Sequence, residues 1–524
     1  MAVLTPYRPG RAGRRFRPVS LIMLLLYSGL TGAALALLPP QLMFILAVPI
    51  IAALGLILWL LPDGGHVPEK AMATLLVAWI VANCLWPNYI SLDLPGLPWI
   101  NPPRIIVIVL LTMSLIAFST SSKMRAETAA SLRAIPFLKW VFWVFWAMTL
   151  ITIPLSFSPA FSLNKWINNQ VFWTFLFILS AWLCVRPGVI GRISRVLTWS
   201  AILVSLVAIY EYSIQQVPWA NSIPSWLAVD DSQLIGNILT GATRAGTEIY
   251  RARGTFNHPL VLAEYLGIIY PFVLHSIVIS QGFVKKSLVT VGALAVLAAM
   301  YLSGARSGMI GFFMAIFLYG GFAAFRHWRR QQQSLIGVST LAMVPVAAVI
   351  FLALAITWPR LHNMTFGGAE HNPSSEARTA QWTMGIPRFL ENPIGHGAGT
   401  GGDVLGYTNL AGEGTIDTYY VSLLLEYGLI GFVAFMLLFG AQLIWGLKMY
   451  LVADPGENTY AGPATIALLN FLVIKSVLSS EFNMPLAFVF LGFLFAINFR
   501  MQSRSSQASV TSAPVVGRLR KLAV

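Results

Sequence analysis

Charge is scarce in this sequence. Asp, Glu, Lys and Arg together make up 10% of its 524 residues. Soluble domains carry roughly 25% charged residues, so the chain lacks the polar surface that a water-soluble protein needs. Cysteine is scarcer still: Cys84 and Cys184 both lie in apolar stretches and neither has metal-ligand spacing. That argues against a disulfide framework and against a cysteine metal site. His362 and His371 lie close together, but their spacing fits no common zinc motif, and no metal or other cofactor is expected. There is no serine nucleophile elbow. The glycine-rich GHGAGTGG lacks the Lys-Ser/Thr and the strand–helix unit of a phosphate loop. Internal repeats and low-complexity tracts are also missing.

Hydrophobic residues fill the place of charge, at 57% of the chain. They recur in runs of about 17–25 residues, the length that crosses a bilayer core as helix. Backbone polar groups must be satisfied inside lipid, so these runs are expected to be helices. Barrel strands would alternate apolar and polar residues, and runs such as Leu294 to Met300 do not. The fold class is therefore an all-α polytopic membrane protein. Spans are expected near 19–37, 40–62, 71–87, 104–119, 136–156, 166–185, 196–215, 259–280, 286–302, 308–325, 334–357, 419–447, 460–478 and 484–500. One or two of these can be re-entrant, giving about 12–14 crossings. The first span follows a basic stretch, as a signal peptide would, but a second apolar run comes at once, so it reads as a retained helix.

The formal charge of +15 raises the question of nucleic acid. Its distribution answers against one, because the basic residues sit mostly in short loops between apolar runs. With the N-terminus inside, about 24 of the Lys and Arg residues are cytoplasmic and about 10 are outside, which selects that orientation and places both termini in the cytoplasm. The chain then divides into a basic N-terminus (1–18), N-terminal membrane helices (19–215), central helices (216–358), a long outer loop (359–418), C-terminal helices (419–500) and a tail (501–524). The tail is rich in Ser, Ala and Val without apolar periodicity and reads as disordered. Two outer segments, 216–258 and 359–418, exceed the length of ordinary connections, and such loops are functional or disordered. The second carries Trp382, Pro387 and Phe389 and is expected to hold helical pieces of its own.

The outer arginines need a reason, because the charge bias disfavours them there. Arg251 and Arg253 lie in RARGTFNHP, before the eighth span. Arg306 lies in LSGARSGM, a tight hairpin of small residues that let backbone approach a ligand closely. Arg360, Arg378 and Arg388 lie in the long loop. Arg244 and Arg360 are explained by snorkelling or loop ion pairs. Several guanidiniums converging on one side suggest an anion, since the planar fork of arginine donates two parallel hydrogen bonds to phosphate. A lipid-linked phosphate or diphosphate suits a membrane protein best, with a carboxylated sugar as the alternative. His396 can be a base, a hydrogen-bond donor or a plain loop residue. Asp417 can be the N-cap of the helix that follows, or a general base facing the arginines.

Four stretches together resemble the O-antigen ligase and O-antigen polymerase family of bacterial envelope glycan assembly. They are RARGTFNHPLVLAEYL, LSGARSG, EARTAQWTMGIPRFLENPIGHGAG and DTYYVSLLLEYGLIGF, in that order over roughly 200–445. The resemblance implies a GT-C-like, metal-independent inverting glycosyltransferase of the inner membrane with its active site on the periplasmic side. Its substrate would be a glycan on an undecaprenyl-diphosphate carrier. A ligase passes the glycan to lipid A-core; a polymerase passes it to another carrier-linked repeat of O-antigen or exopolysaccharide. Membrane lipid and other envelope polysaccharide assembly proteins are the implied partners. Arg251 and Arg306 match the arginines expected to hold the diphosphate, with Arg253 beside them, and Arg378 matches a third loop arginine. Trp382 and Tyr407 would bind sugar faces. Ligases typically have a His-Asn pair where this chain has Asp417-Thr418, and the histidine is the proposed base. The difference favours a polymerase, with Asp417, or alternatively His396, as the base. A lipid-linked oligosaccharide flippase or transporter is the rival of another class. Such proteins usually keep charge near the bilayer midplane, whereas here Lys475 and Glu264 are the main charges within spans, both near an expected outer end.

Overall fold

Apolar runs in this chain become helices because no water is available in the bilayer to satisfy an open backbone. In the computed structural model, residues 67–93, 99–227, 249–332, 335–359, 372–408 and 414–511 are described, with a few isolated positions besides. The expected spans at 19–37 and 40–62, together with Arg244, Arg360, His371, the basic N-terminus (1–18) and the tail beyond 511, lie outside them. The chain forms two compact units, one of Met1–His66 with Leu115–Ser122, the other of Val67–Ser114 with Lys123–Val524. Everything below concerns the second.

In order, its helices are α1 (Glu69–Leu85), α2 (Pro102–Thr120), α3 (Ser122–Arg133), α4 (Pro136–Ile151), α5 (Pro159–Asn169), α6 (Phe175–Leu183), α7 (Val189–Ile214), α8 (Pro259–Ile279) and α9 (Phe283–Leu302). There follow α10 (Arg306–Arg330), α11 (Leu335–Thr357), α12 (Asn372–Glu391), α13 (Gly401–Leu405), α14 (Tyr419–Val452), α15 (Ala461–Lys475) and α16 (Met484–Thr511). Among the described residues nine of these are long and apolar enough to cross a membrane. Three further expected spans are shorter or interrupted. α1 has 17 residues and α15 has 15. α5 and α6 form one helical run broken by a π turn, Gln170–Thr174. The described residues contain no strand, only two isolated bridges, Leu92 to Ile100 and Thr408 to Gly414.

Some helices outrun their apolar stretch. α7 starts at Val189 and α10 ends at Arg330, so Arg192, Arg195, Arg326 and Arg329 stand on helix rather than in loops. Long basic side chains can keep their charge in the headgroup region while the stem stays against the helix, which explains the extension. α3 and α12 are polar helices that carry no long apolar run, so hydropathy does not locate them.

α8, α10 and α15 pack closely against one another. A Cβ on Gly311 would stand 3.3 Å from the Cα of Gly267, and Asn470 of α15 uses its amide to reach both carbonyls, Gly267 O at 2.7 Å and Gly311 O at 2.9 Å. Nearby, Lys475 and Glu264 form an ion pair of 2.7 Å with both side chains fully buried. Asn483 donates to Glu264 at 2.8 Å, and Ser480 O accepts from Lys475. Removing one partner of such a pair leaves an uncompensated charge and typically costs about 3–5 kcal/mol. The pair ties the end of α15 to α8, and the Lys475 ammonium lies 5.5 Å from the ring of Tyr419, the first residue of α14.

The helix ends sort into two groups. At one, Arg186 pairs with Glu69 at 2.9 Å and with Glu127, and Arg500 pairs with Glu457 at 2.9 Å. Arg326 and Arg330 both donate to Ala453 O. These are the residues that the charge bias assigns to one side of the membrane. At the other group, Lys165 pairs with Glu481, Ser91 N donates to Leu227 O, and the arginine-bearing loops gather.

Candidate functional site: an arginine and aspartate cluster

The loop before α8 is folded around a buried carboxylate. Glu211 of α7, fully buried, accepts the N–H of Arg253 at 3.1 Å, the N–H of Gly254 at 2.6 Å and the hydroxyl of Tyr250 at 2.8 Å. The guanidinium of Arg253 lies 3.9 Å from the same carboxylate, and its side chain is 2% exposed. Arg253 is therefore packed beneath the loop. Glu211 is the residue that hydropathy missed: one glutamate inside a long apolar helix gives no sign of the loop it will organise.

Arg251 points the other way along the same loop. Its Nε donates to Ser303 O at 2.8 Å, and Ala252 N donates to Leu302 O at 3.1 Å, so the loop runs along the turn between α9 and α10. Gly304 makes this contact possible. Its φ is +61°, and a Cβ there would stand 3.1 Å from the Arg251 Nε. Two residues later Arg306 opens α10 and reaches Ser375 of α12 at 3.4 Å.

α12 carries Ser375, Arg378 and Gln381 at three-residue spacing, on neighbouring positions of one side. Gln381, fully buried, accepts the backbone N–H of Asp417 at 2.8 Å. Burial raises the Asp417 carboxyl above its ordinary range, and the positive charge of Arg378 opposes that shift. The same burial lowers the Arg378 guanidinium, opposed by Asp417. His258, the N-cap of α8, reaches solvent at its edge. The structure thus links Arg251, Arg306, Arg378 and Asp417 through the α9–α10 turn and one side of α12. Among these, Arg378 is the guanidinium that acts electrostatically on the half-buried carboxylate of Asp417. No grouping of three or more His, Cys, Asp or Glu placed to hold a metal occurs among the described residues.

The other expected site residues, His396, Trp382 and Tyr407, lie where the loop meets α14. α14 is broken at Gly428, with φ +65° and ψ −172°. The break frees backbone groups that the loop then satisfies. His396 N donates to Leu425 O at 2.9 Å, Gly397 N to Glu426 O at 3.0 Å, and Leu429 N to Pro393 O at 3.0 Å. The His396 ring Nδ1 also lies 3.0 Å from Leu425 O. The glycine run thus fills the break in the helix. Trp382 and Tyr407 are half-buried and pack with Phe389 and Ile416 on Leu405, Val421 and Leu425. Gly428→Ala should test the joint. A Cβ there meets the carbonyls of Pro393 and Ile394, and that backbone conformation is essentially glycine-only. We expect a loss of about 1–3 kcal/mol or more, read as a lower melting temperature and new protease cleavage within 392–401.

No curated protein matches the chain. Residues 291–436, which hold Arg306, Arg378 and Asp417, match the family model Wzy_C, described as O-antigen ligase. That match covers 291–436 of the 524 residues, a domain similar to the O-antigen ligase family.

Proposed function

We propose that the chain polymerises carrier-linked glycan repeats at the periplasmic face of the bacterial inner membrane. The observation that carries this reading is the half-buried carboxylate of Asp417 beside Arg378, joined through α12 to Arg306 and Arg251. Three guanidiniums suit an undecaprenyl diphosphate, and the Lys and Arg bias supports placing them outside. Arg306 also stands at the N-terminus of α10, where the helix dipole favours an anion.

In this mechanism the hydroxyl of the acceptor sugar attacks the anomeric carbon of the donor. The bond from that carbon to the diphosphate oxygen breaks, and the electron pair leaves with the carrier diphosphate. Fixed guanidiniums stabilise the charge that develops there. Asp417 accepts the hydroxyl proton, and the anomeric centre inverts. A carboxylate in place of the ligases' histidine is the reason to prefer a carrier-linked acceptor over lipid A-core.

Purified protein in proteoliposomes, given carrier-linked repeat with and without lipid A-core, decides between the readings. A ladder of longer carrier-linked chains without the core is expected. Products formed only with the core would mean a ligase, and no transfer in either arm would favour a transport role.

A further inference from the structure

A second site lies in the N-terminal half of the same unit. The start of α2 and the length of α5 enclose a cleft of about 790 Å³, within the usual range for ligand pockets. It continues into a chamber of about 220 Å³ between α1, the π turn and the turn before α16. Trp99, Arg104, Lys165, Asn168 and Phe172 line both.

The cleft is walled by Val107, Ile108, Ile167 and Val171 on its apolar side, with ring faces and amides concentrated towards the chamber. Trp86 and Trp173 add indoles to the chamber, and Asn83, Asn88 and Asn101 add amides. Asn83 Nδ2 and Asn88 Oδ1 are buried without a hydrogen-bond partner in the protein. A buried donor and acceptor left unmet are costly, and both belong to side chains that line the chamber. The charged groups are engaged internally: Lys165 pairs with Glu481 at 2.5 Å, and Arg104 donates to Trp99 O at 2.8 Å. A diphosphate is therefore a poor occupant, and a hydroxyl-rich ring a good one. The π turn supplies Phe172 and Trp173 to the wall; such turns are rare in helices and concentrate at functional sites. The chamber also borders the arginine loop. Phe482 of its lining meets Phe256 edge-on at 5.2 Å, and Thr255 donates to Cys84 O at 2.7 Å, beside Asn83.

We propose that this cleft binds the sugar chain of the acceptor, with ring faces on Trp99 and Phe172 and hydroxyls on Asn83, Asn88 and Asn168. The word acceptor rests on the transferase reading above; the binding of an oligosaccharide does not. The probe is the repeat-unit oligosaccharide released by mild acid from the polysaccharide of the producing cells, titrated calorimetrically into the full-length protein in nanodiscs. The wild type should bind it, Trp99→Ala with Asn168→Ala should weaken binding at least tenfold, and Arg306→Lys should leave it unchanged. In transfer assays the cleft variant should raise the acceptor KM about tenfold with the donor KM unmoved. If the double variant loses its fold, Asn168→Ala alone, at a half-buried position on a helix, should still weaken binding. A wild type that does not bind, or a folded variant that binds as well as the wild type, overturns the proposal. Binding without any transfer would retain the cleft and sink the polymerase reading.

Discussion

Replacing Arg306 by lysine should lower transfer at least about 100-fold, the scale on which loss of one preorganised donor acts on a charged transition state. The charge survives the substitution, so a site that needed only positive potential would hardly notice it. The geometry does not survive. Arg306 begins α10 directly after the Ser303–Gly304 turn, and that turn is also where Arg251 donates its Nε. From there the guanidinium spans to Ser375 on α12. A lysine ammonium is a point charge without the planar fork. Arg306 is half-buried at a helix end, away from the fully buried core, so insertion and yield should be unchanged. Transfer of carrier-linked repeats in proteoliposomes, and glycan chain length in cells, both read the effect. Normal chain length with Arg306→Lys would sink the assignment of this arginine to the diphosphate.

The sequence made the spans readable because burial in lipid leaves helix as the only choice for a long apolar run. All twelve expected spans that fall on described residues have a helix in place. What hydropathy could not show are structures made by contacts between distant segments. Ser162 of α5 reaches Ala398 O at 3.0 Å across 236 positions, which is how the glycine run comes to be held between α5 and the break in α14. Glu264 and Lys475 stood out as charges inside spans, but only the packing shows that they form one ion pair. Trp382 drew attention as an aromatic in a polar loop, a signal that fits a sugar platform and a small hydrophobic cluster equally well. Arg378 and Asp417 are neighbours because Gln381 of α12 holds the Asp417 backbone, and no spacing in the chain encodes that. The π turn is silent in the sequence, because its residues are apolar and continue the pattern on both sides.

Asp417→Asn should lower transfer by about 100- to 10,000-fold, the usual contribution of a positioned general base. The N-cap of α14 is Thr418, not Asp417, and the pH profile should separate a base at Asp417 from a purely structural residue. As a base, Asp417 works only when ionised. Burial raises its pKa, so kcat/KM should fall on the acid side through a limb lying above the ordinary aspartate range. Arg378 favours the ionised form, and Arg378→Gln should therefore move that limb further towards neutral pH. In Asp417→Asn the limb should vanish and leave a low, flat rate. Asparagine is nearly the same size and shape as aspartate and the backbone N–H that Gln381 accepts is kept, so a purely structural role predicts near-normal transfer for this variant. An unchanged acid limb in Asp417→Asn would assign the proton to another group, and the same profile measured with His396→Gln would show whether that group is His396.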